Sequence, residues 1–168
     1  PSLRDSLKVL PQYVLTKHFL TGIMYRLTRI EFKPWKNLLI GLIVKLYKVD
    51  LSQAKRENIT DYKSFNDFFT RYLKDEVRSW ELDSTNILSP VDGAISQIGK
   101  LDNHKLIQAK GKQYQLEQLL AGDTESVIRF NDGIFTTLYL SPRDYHRIHM
   151  PVTGKLIKSI YVPGELFS

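Results

Sequence analysis

The sequence predicts an α+β fold: N-terminal amphipathic helices followed by a mainly antiparallel β body that is truncated here. Three observations carry this. Apolar residues recur at helical spacing as far as about residue 80, and the period changes to two after about residue 85. The charge is also lopsided. Residues 1–60 hold 11 Lys and Arg against 4 Asp and Glu, and the remainder holds 13 against 14, so the whole net charge of +6 arises in the first third. With 168 residues the chain can bury a core without covalent staples, and with no cysteine it has none. The missing thiols exclude a disulfide scaffold, a Cys-ligated zinc site, an iron–sulfur cluster and a thiol nucleophile.

In the helical part, Pro11 and Pro34 punctuate three segments: a short helix, a longer one carrying Phe19, Leu20, Ile23, Met24 and Leu27, and a third beginning near Trp35. In that third helix Asn37, Gly41, Lys45 and Lys48 fall on one narrow polar stripe, while Leu38, Leu39, Ile40, Leu42, Ile43, Val44, Leu46 and Tyr47 cover most of the circumference. Two readings stand side by side. The helix lies in a lipid headgroup layer with Lys36, Lys45 and Lys48 toward phosphates, or it is buried in the protein's own core or a dimer interface. It does not span a bilayer, because the uncharged run 37–44 covers roughly 12 Å of a hydrocarbon core about 30 Å thick. No signal peptide is recognisable. Nucleic acid is the weaker partner, since the basic residues alternate with aliphatic side chains and not with aromatic stacking platforms.

Ser64-Phe65-Asn66-Asp67 resembles a capped helix start. Phe65, Phe68, Phe69 and Tyr72 make an aromatic packing face, and Arg71, Lys74 and Arg78 suit the C-terminal end. Beyond it, residues 94–100, 105–110, 134–140 and 152–161 read as strands, separated by turns at 91–93, 102–104 and 131–133. A short helix at 116–121 closes on Gly122. The last residues, Pro163-Gly164-Glu165-Leu166-Phe167-Ser168, read as a chain cut in mid-fold.

The chemistry-bearing candidates are few. Of four histidines, His18, His104, His146 and His149, the last two are spaced H-x-x-H before Pro151. In extended backbone such residues point to opposite faces, so they do different work and no metal site is expected. Asp92 lies in Pro90-Val91-Asp92-Gly93, where turn chemistry alone accounts for an aspartate. An Asp and a His can also form the orienting half of a triad, but neither a G-x-S-x-G motif nor a Gly-Ser dipeptide supplies a nucleophile.

Several blocks carry a resemblance: Tyr47-Lys48-Val49-Asp50; Ser64 to Phe69 with Arg71 and Leu73-Lys74; Ser89-Pro90-Val91-Asp92-Gly93; and Gln108-Ala109-Lys110-Gly111. The longest runs from Tyr139 through Ser141-Pro142-Arg143-Asp144-Tyr145-His146-Arg147-Ile148-His149-Met150-Pro151, and another from Tyr161 to Ser168. Together they resemble phosphatidylserine decarboxylases of the bacterial and mitochondrial type, over the N-terminal part of the β chain. The resemblance implies a proenzyme that cuts itself at a Gly-Ser bond, the serine becoming a covalent pyruvoyl cofactor on the α chain. That bond lies outside this sequence, so this chain alone is not expected to be active.

By the same resemblance Asp92 orients His149, His149 activates the cleavage serine, and His146 moves a proton in decarboxylation. Tyr139, Phe167 and Ser168 lie near the substrate. The division expected is a helical membrane-docking region at 1–80 and the N-terminal part of a β-rich catalytic domain at 81–168. The implied partners are the α chain, an anionic phospholipid membrane, phosphatidylserine itself and a second copy in a homodimer of αβ units, with no nucleic acid. The implied location is peripheral, on the cytoplasmic face of a bacterial cell membrane. The alternative is a non-catalytic or degenerate membrane-binding protein of the same fold. A hydrolase using Asp92 and His149 with another serine is a further rival.

Overall fold

A computed structural model of the chain describes residues 17–78, 85–101, 105–108 and 112–162. They belong to two compact units, one ending at Arg78 and the other reaching Val162. The short helix expected before Pro11, and Phe167 and Ser168, lie outside the described residues.

In the first unit, α1 spans Lys17–Leu27 and α2 spans Lys33–Tyr47. Leu27 leaves a carbonyl without an intrahelical donor, as helix ends do. The indole Nε1 of Trp35 donates to it at 3.0 Å, which ties the first turn of α2 to the end of α1. Pro34 sits in the first turn of α2, where its missing N–H costs nothing. Lys48 ends the helix in the left-handed conformation, φ 53°. The core of the unit is Ile40, Val49, Tyr62 and Phe68, with Ile43, Val44, Leu51, Ile59 and Phe65 packed against it. Tyr62 and Phe68 meet edge to face, ring centroids 5.5 Å apart.

Part of α2 follows the second reading, burial in the protein's own core, and Lys36 departs from the headgroup reading. Lys36, expected to face phosphates, is 4% exposed, and its Nζ donates to Thr60 O at 3.0 Å and Asn37 Oδ1 at 2.9 Å. The long aliphatic stem lies inward and the ammonium ends on a backbone carbonyl, so a lysine one turn from Ile40 joins the buried face. Leu38, Leu42 and Leu46 point outward instead, at 65%, 56% and 66% exposure.

Helix α3, Phe65–Phe69, starts where the cap predicts: Ser64 Oγ accepts from Asp67 N at 3.2 Å. It is shorter than expected, and Tyr72 lies beyond it. The chain after Thr70 is drawn into extended pairing with 53–55, through Lys55 N to Tyr72 O and Lys74 N to Gln53 O, both 2.9 Å. Asp67 anchors this corner. It accepts from both terminal nitrogens of Arg56 at 2.8 Å and from Lys63 N at 2.9 Å. The Arg56 guanidinium holds the Asp67 carboxyl below its usual range, against the opposing effect of burial.

In the second unit, β1 (Ala94–Lys100) pairs antiparallel with β4 (Ile134–Tyr139), in a register from Ala94↔Tyr139 to Lys100↔Ile134, with an irregularity between Ile95 and Gln97. A second antiparallel pair joins β2 (Lys105–Gln108) to β3 (Lys112–Gln115). Helix α4 covers Leu116–Leu119, and Gly122 follows at φ 75°. Helix α5, Thr124–Phe130, is an element that apolar periodicity did not reveal. Asp123 caps it, accepting from Ser126 N and Ser126 Oγ. Leu116 and Val127 form the core, with Leu101, Tyr114, Leu120 and Phe135 against them.

The strand expected at 152–161 is not formed. That stretch is irregular, with Ile157 92% exposed. An alternating pattern becomes a strand only when another strand takes its N–H and C=O groups, and none of the described strands pairs with this one.

Candidate functional site

The candidate residues converge on one end of the β1–β4 ladder. Ala94, the first residue of β1, lies opposite Tyr139, the last of β4. The backbones come so close there that a Cβ added to Gly93 would sit 2.8 Å from Tyr139 O. Glycine at 93 is therefore a packing requirement, and it holds the neighbouring Asp92 beside the end of β4. Asp92 is half-buried and the Tyr139 side chain is exposed.

After β4 the chain reverses in a turn built by its own side chains. Ser141 N donates to Asp144 Oδ2 at 2.6 Å, and Asp144 N donates to Ser141 O at 2.8 Å. Ser141 to Asp144 thus form a β-turn with Pro142 at its second position, and the Asp144 carboxylate closes it a second time on Ser141 N. The returning segment runs back beside the Asp92 loop. His149 N donates to Pro90 O at 2.8 Å and Leu88 N donates to Pro151 O at 2.9 Å. Ser89 Oγ donates to Val91 O at 2.7 Å and stiffens the loop from within.

The two histidines make different hydrogen bonds. His146 Nδ1 lies 2.9 Å from Asp144 O. A carbonyl oxygen only accepts, so Nδ1 carries a hydrogen and donates it. His149 Nε2 lies 2.9 Å from Tyr145 Oη, and the two rings stack with centroids 5.5 Å apart and planes inclined by 26°. Tyr145 is 9% exposed, while His149 is exposed. Asp92, Tyr139, His146 and His149 are thus gathered by one ladder end and one turn. Two contributors went unrecognised in the sequence: Asp144, which shapes the turn, and Tyr145, which holds His149. Among the described residues no group of three or more His, Asp or Glu is placed to hold a metal ion.

This stretch is also where comparison with known proteins is informative. A family model described as phosphatidylserine decarboxylase matches residues 65–168, and a second, described as PSD, matches residues 7–48. The chain belongs to the phosphatidylserine decarboxylase family. A phosphatidylserine decarboxylase proenzyme of Pseudoalteromonas translucida is 49% identical over 164 residues, and one of Legionella pneumophila strain Corby is 46% identical over 165. One of Shewanella denitrificans is 45% identical over 164 residues. Each alignment covers 98% of this chain and 57% or 58% of the relative. The chain therefore spans under two thirds of the length of these family members. The main family match takes in α3, the whole β1–β4 ladder and the Asp144 turn, so every residue of the gathered site lies within it.

Proposed function

We propose that this chain is the N-terminal part of the β chain of a self-processing, pyruvoyl-dependent phosphatidylserine decarboxylase. The observation that carries the reading is the main-chain bond from His149 N to Pro90 O, 2.8 Å, which clamps the Asp92 turn to the histidine segment. Asp92 orients the His149 imidazole and stabilises its charged form. His149 takes the hydroxyl proton of the cleavage serine, the serine oxygen attacks the carbonyl before it, and the proton passes to the departing amide nitrogen. The product is an ester between two chain pieces, on the way to an α chain that begins at the former serine.

The residues gathered here fit a carbonyl cofactor presented by that α chain. His146 is held through Nδ1 by the Asp144 carbonyl, which leaves proton exchange to Nε2, and Tyr139 offers an exposed phenol at the same ladder end. The pyruvoyl group supplies the electron sink that loss of carbon dioxide demands and that no standard side chain provides. His146 delivers from Nε2 the proton that takes the place of the departing carboxylate on the substrate carbon. Phosphatidylserine is a bilayer lipid, and the outward Leu38, Leu42 and Leu46 with exposed Lys45 and Lys48 suit docking on an anionic membrane. The reading extends to a peripheral position on the cytoplasmic face and to a homodimer of αβ units.

Intact mass of the full-length gene product tests this. Wild-type protein yields two chains, and hydroxylamine adds to the smaller one at its pyruvoyl carbonyl. Asp92→Ala and His149→Ala leave one uncut chain, while His146→Ala cuts normally and releases no carbon dioxide. Normal cutting in the Asp92 or His149 variant refutes the triad. A single chain with no trapped carbonyl in the wild type favours a non-catalytic member of the family.

A further inference from the structure

The geometry points to Tyr145 as the residue that positions His149, a role resting on the triad reading above. Three observations support it. The phenol Oη lies 2.9 Å from His149 Nε2, so one ring nitrogen is directed at a hydroxyl. The rings stack at 5.5 Å and 26°, which fixes the plane of the imidazole as well as its direction. Tyr145 is buried to 9% exposure whereas His149 is exposed, so the anchor is rigid while the residue it holds reaches the surface of the described residues. The main-chain bond from His149 N to Pro90 O fixes the backbone of the base but leaves its χ angles free. An exposed imidazole has two broad ring orientations about χ2. Tyr145 selects one of them.

A phenol hydroxyl can both donate and accept a hydrogen bond. With Oη accepting from Nε2–H, the lone pair lies on Nδ1, and Nδ1 takes the serine proton while the bond to Tyr145 persists, so the phenol is not consumed. The positioning does not require the hydroxyl to take part in the bond changes. When the serine hydroxyl approaches, Tyr145 has already limited the ring to one plane.

The test uses the full-length proenzyme. Tyr145→Phe keeps the stacked ring and removes Oη. Its expected effect is chain cleavage slowed by about tenfold, less than the roughly hundredfold or more that a general base contributes, because the base itself is still present. The second readout is the ring-nitrogen ¹⁵N resonance of His149, recorded with the cleavage serine replaced by alanine and assigned by loss in His149→Gln. Y145F is expected to move that resonance, because a hydrogen bond to Nε2 has gone. A slower variant with an unmoved resonance reduces Tyr145 to packing and overturns the proposal, as does cleavage at the wild-type rate. If Y145F does not fold, 3-fluorotyrosine at 145 nearly preserves size and weakens the acceptor, and an unmoved resonance there overturns the proposal equally. Cleavage by His149→Ala would instead sink the triad reading, a separate outcome.

Discussion

Replacing Gly93 by alanine isolates the geometry that gathers the site. The added Cβ would meet Tyr139 O at 2.8 Å and Tyr139 C at 3.3 Å, both backbone atoms of the paired strand, whereas ordinary contact begins at 3.4 Å. Neither neighbour can swing away as a side-chain tip would. The ladder end must therefore open by about 0.6 Å, the difference between the 2.8 Å approach and the 3.4 Å contact. Overpacking of this kind costs about 1–3 kcal/mol. In a chain of a few hundred residues that lowers the melting temperature by roughly 4–8 °C for a cost near 2 kcal/mol.

The functional effect follows from the same displacement. Asp92 precedes Gly93 and moves with it, away from the segment that His149 N anchors. Since misplacement by about 1 Å can cost on the order of a hundredfold, a shift of half that predicts about tenfold slower cleavage. The assay is the cleavage rate of the full-length Gly93→Ala proenzyme, followed by gel or mass alongside its thermal melt. Gly41→Ala is the matched control. Nothing lies within 4 Å of its would-be Cβ, and it sits inside α2, so alanine there should stabilise by about 0.5–1 kcal/mol and leave cleavage alone. If Gly93→Ala melts and cleaves like the wild type, the close approach of 93 to 139 is not what holds Asp92.

Three further outcomes are expected. Asp67→Asn breaks the paired bonds from Arg56, whose partners are about one-third exposed at 34% and 31%, so after screening the loss is about 1–2 kcal/mol in urea unfolding at pH 7. Because the folded carboxyl is held below its usual range, the ion pair contributes fully above the unfolded value near 4 and its contribution fades as pH falls through the folded one. A wild-type minus variant difference that stays constant down to pH 2 would contradict that cause. On vesicles rich in phosphatidylserine, Leu42→Glu should weaken binding by tenfold or more, from loss of about 1.5–3 kcal/mol of buried apolar side chain. Lys36→Met should lower stability and spare vesicle binding. Equal binding by wild type and Leu42→Glu would return the outward leucines to a protein interface.

What could be read from the sequence was local. Ser64 capped its helix because a hydroxyl three residues from an amide needs nothing distant. The strands at 94–100 and 134–139 followed from period two because both halves of that ladder are in the chain. The readings that failed needed a partner far along the sequence. Lys36 turned inward because Thr60, 24 residues on, offers a carbonyl where its ammonium ends. Residues 152–161 alternate like a strand, yet none of the described strands pairs with them. Helix α5 was hidden because its signal is a side-chain cap, Asp123 to Ser126, and not an apolar stripe.

The site shows the same division at finer grain. The residue types at 92, 146 and 149 were legible because Asp and His carry recognisable chemistry. The part of Tyr145 was not, because a contact to the fourth residue along normally signals a helix, and here it occurs in irregular backbone. That backbone is set by Asp144, whose carboxylate and amide both bond Ser141. The turn chemistry of Ser141-Pro142-Arg143-Asp144 therefore decides which way the following residues face. His146 then bonds the Asp144 carbonyl, and Tyr145 reaches His149. A change at Asp144 should consequently disturb both histidines at once, although Asp144 itself is assigned no chemical step. Replacing it by alanine removes the one side-chain acceptor the turn uses for Ser141 N, and cleavage and decarboxylation should fall together, whereas His146→Ala separates them.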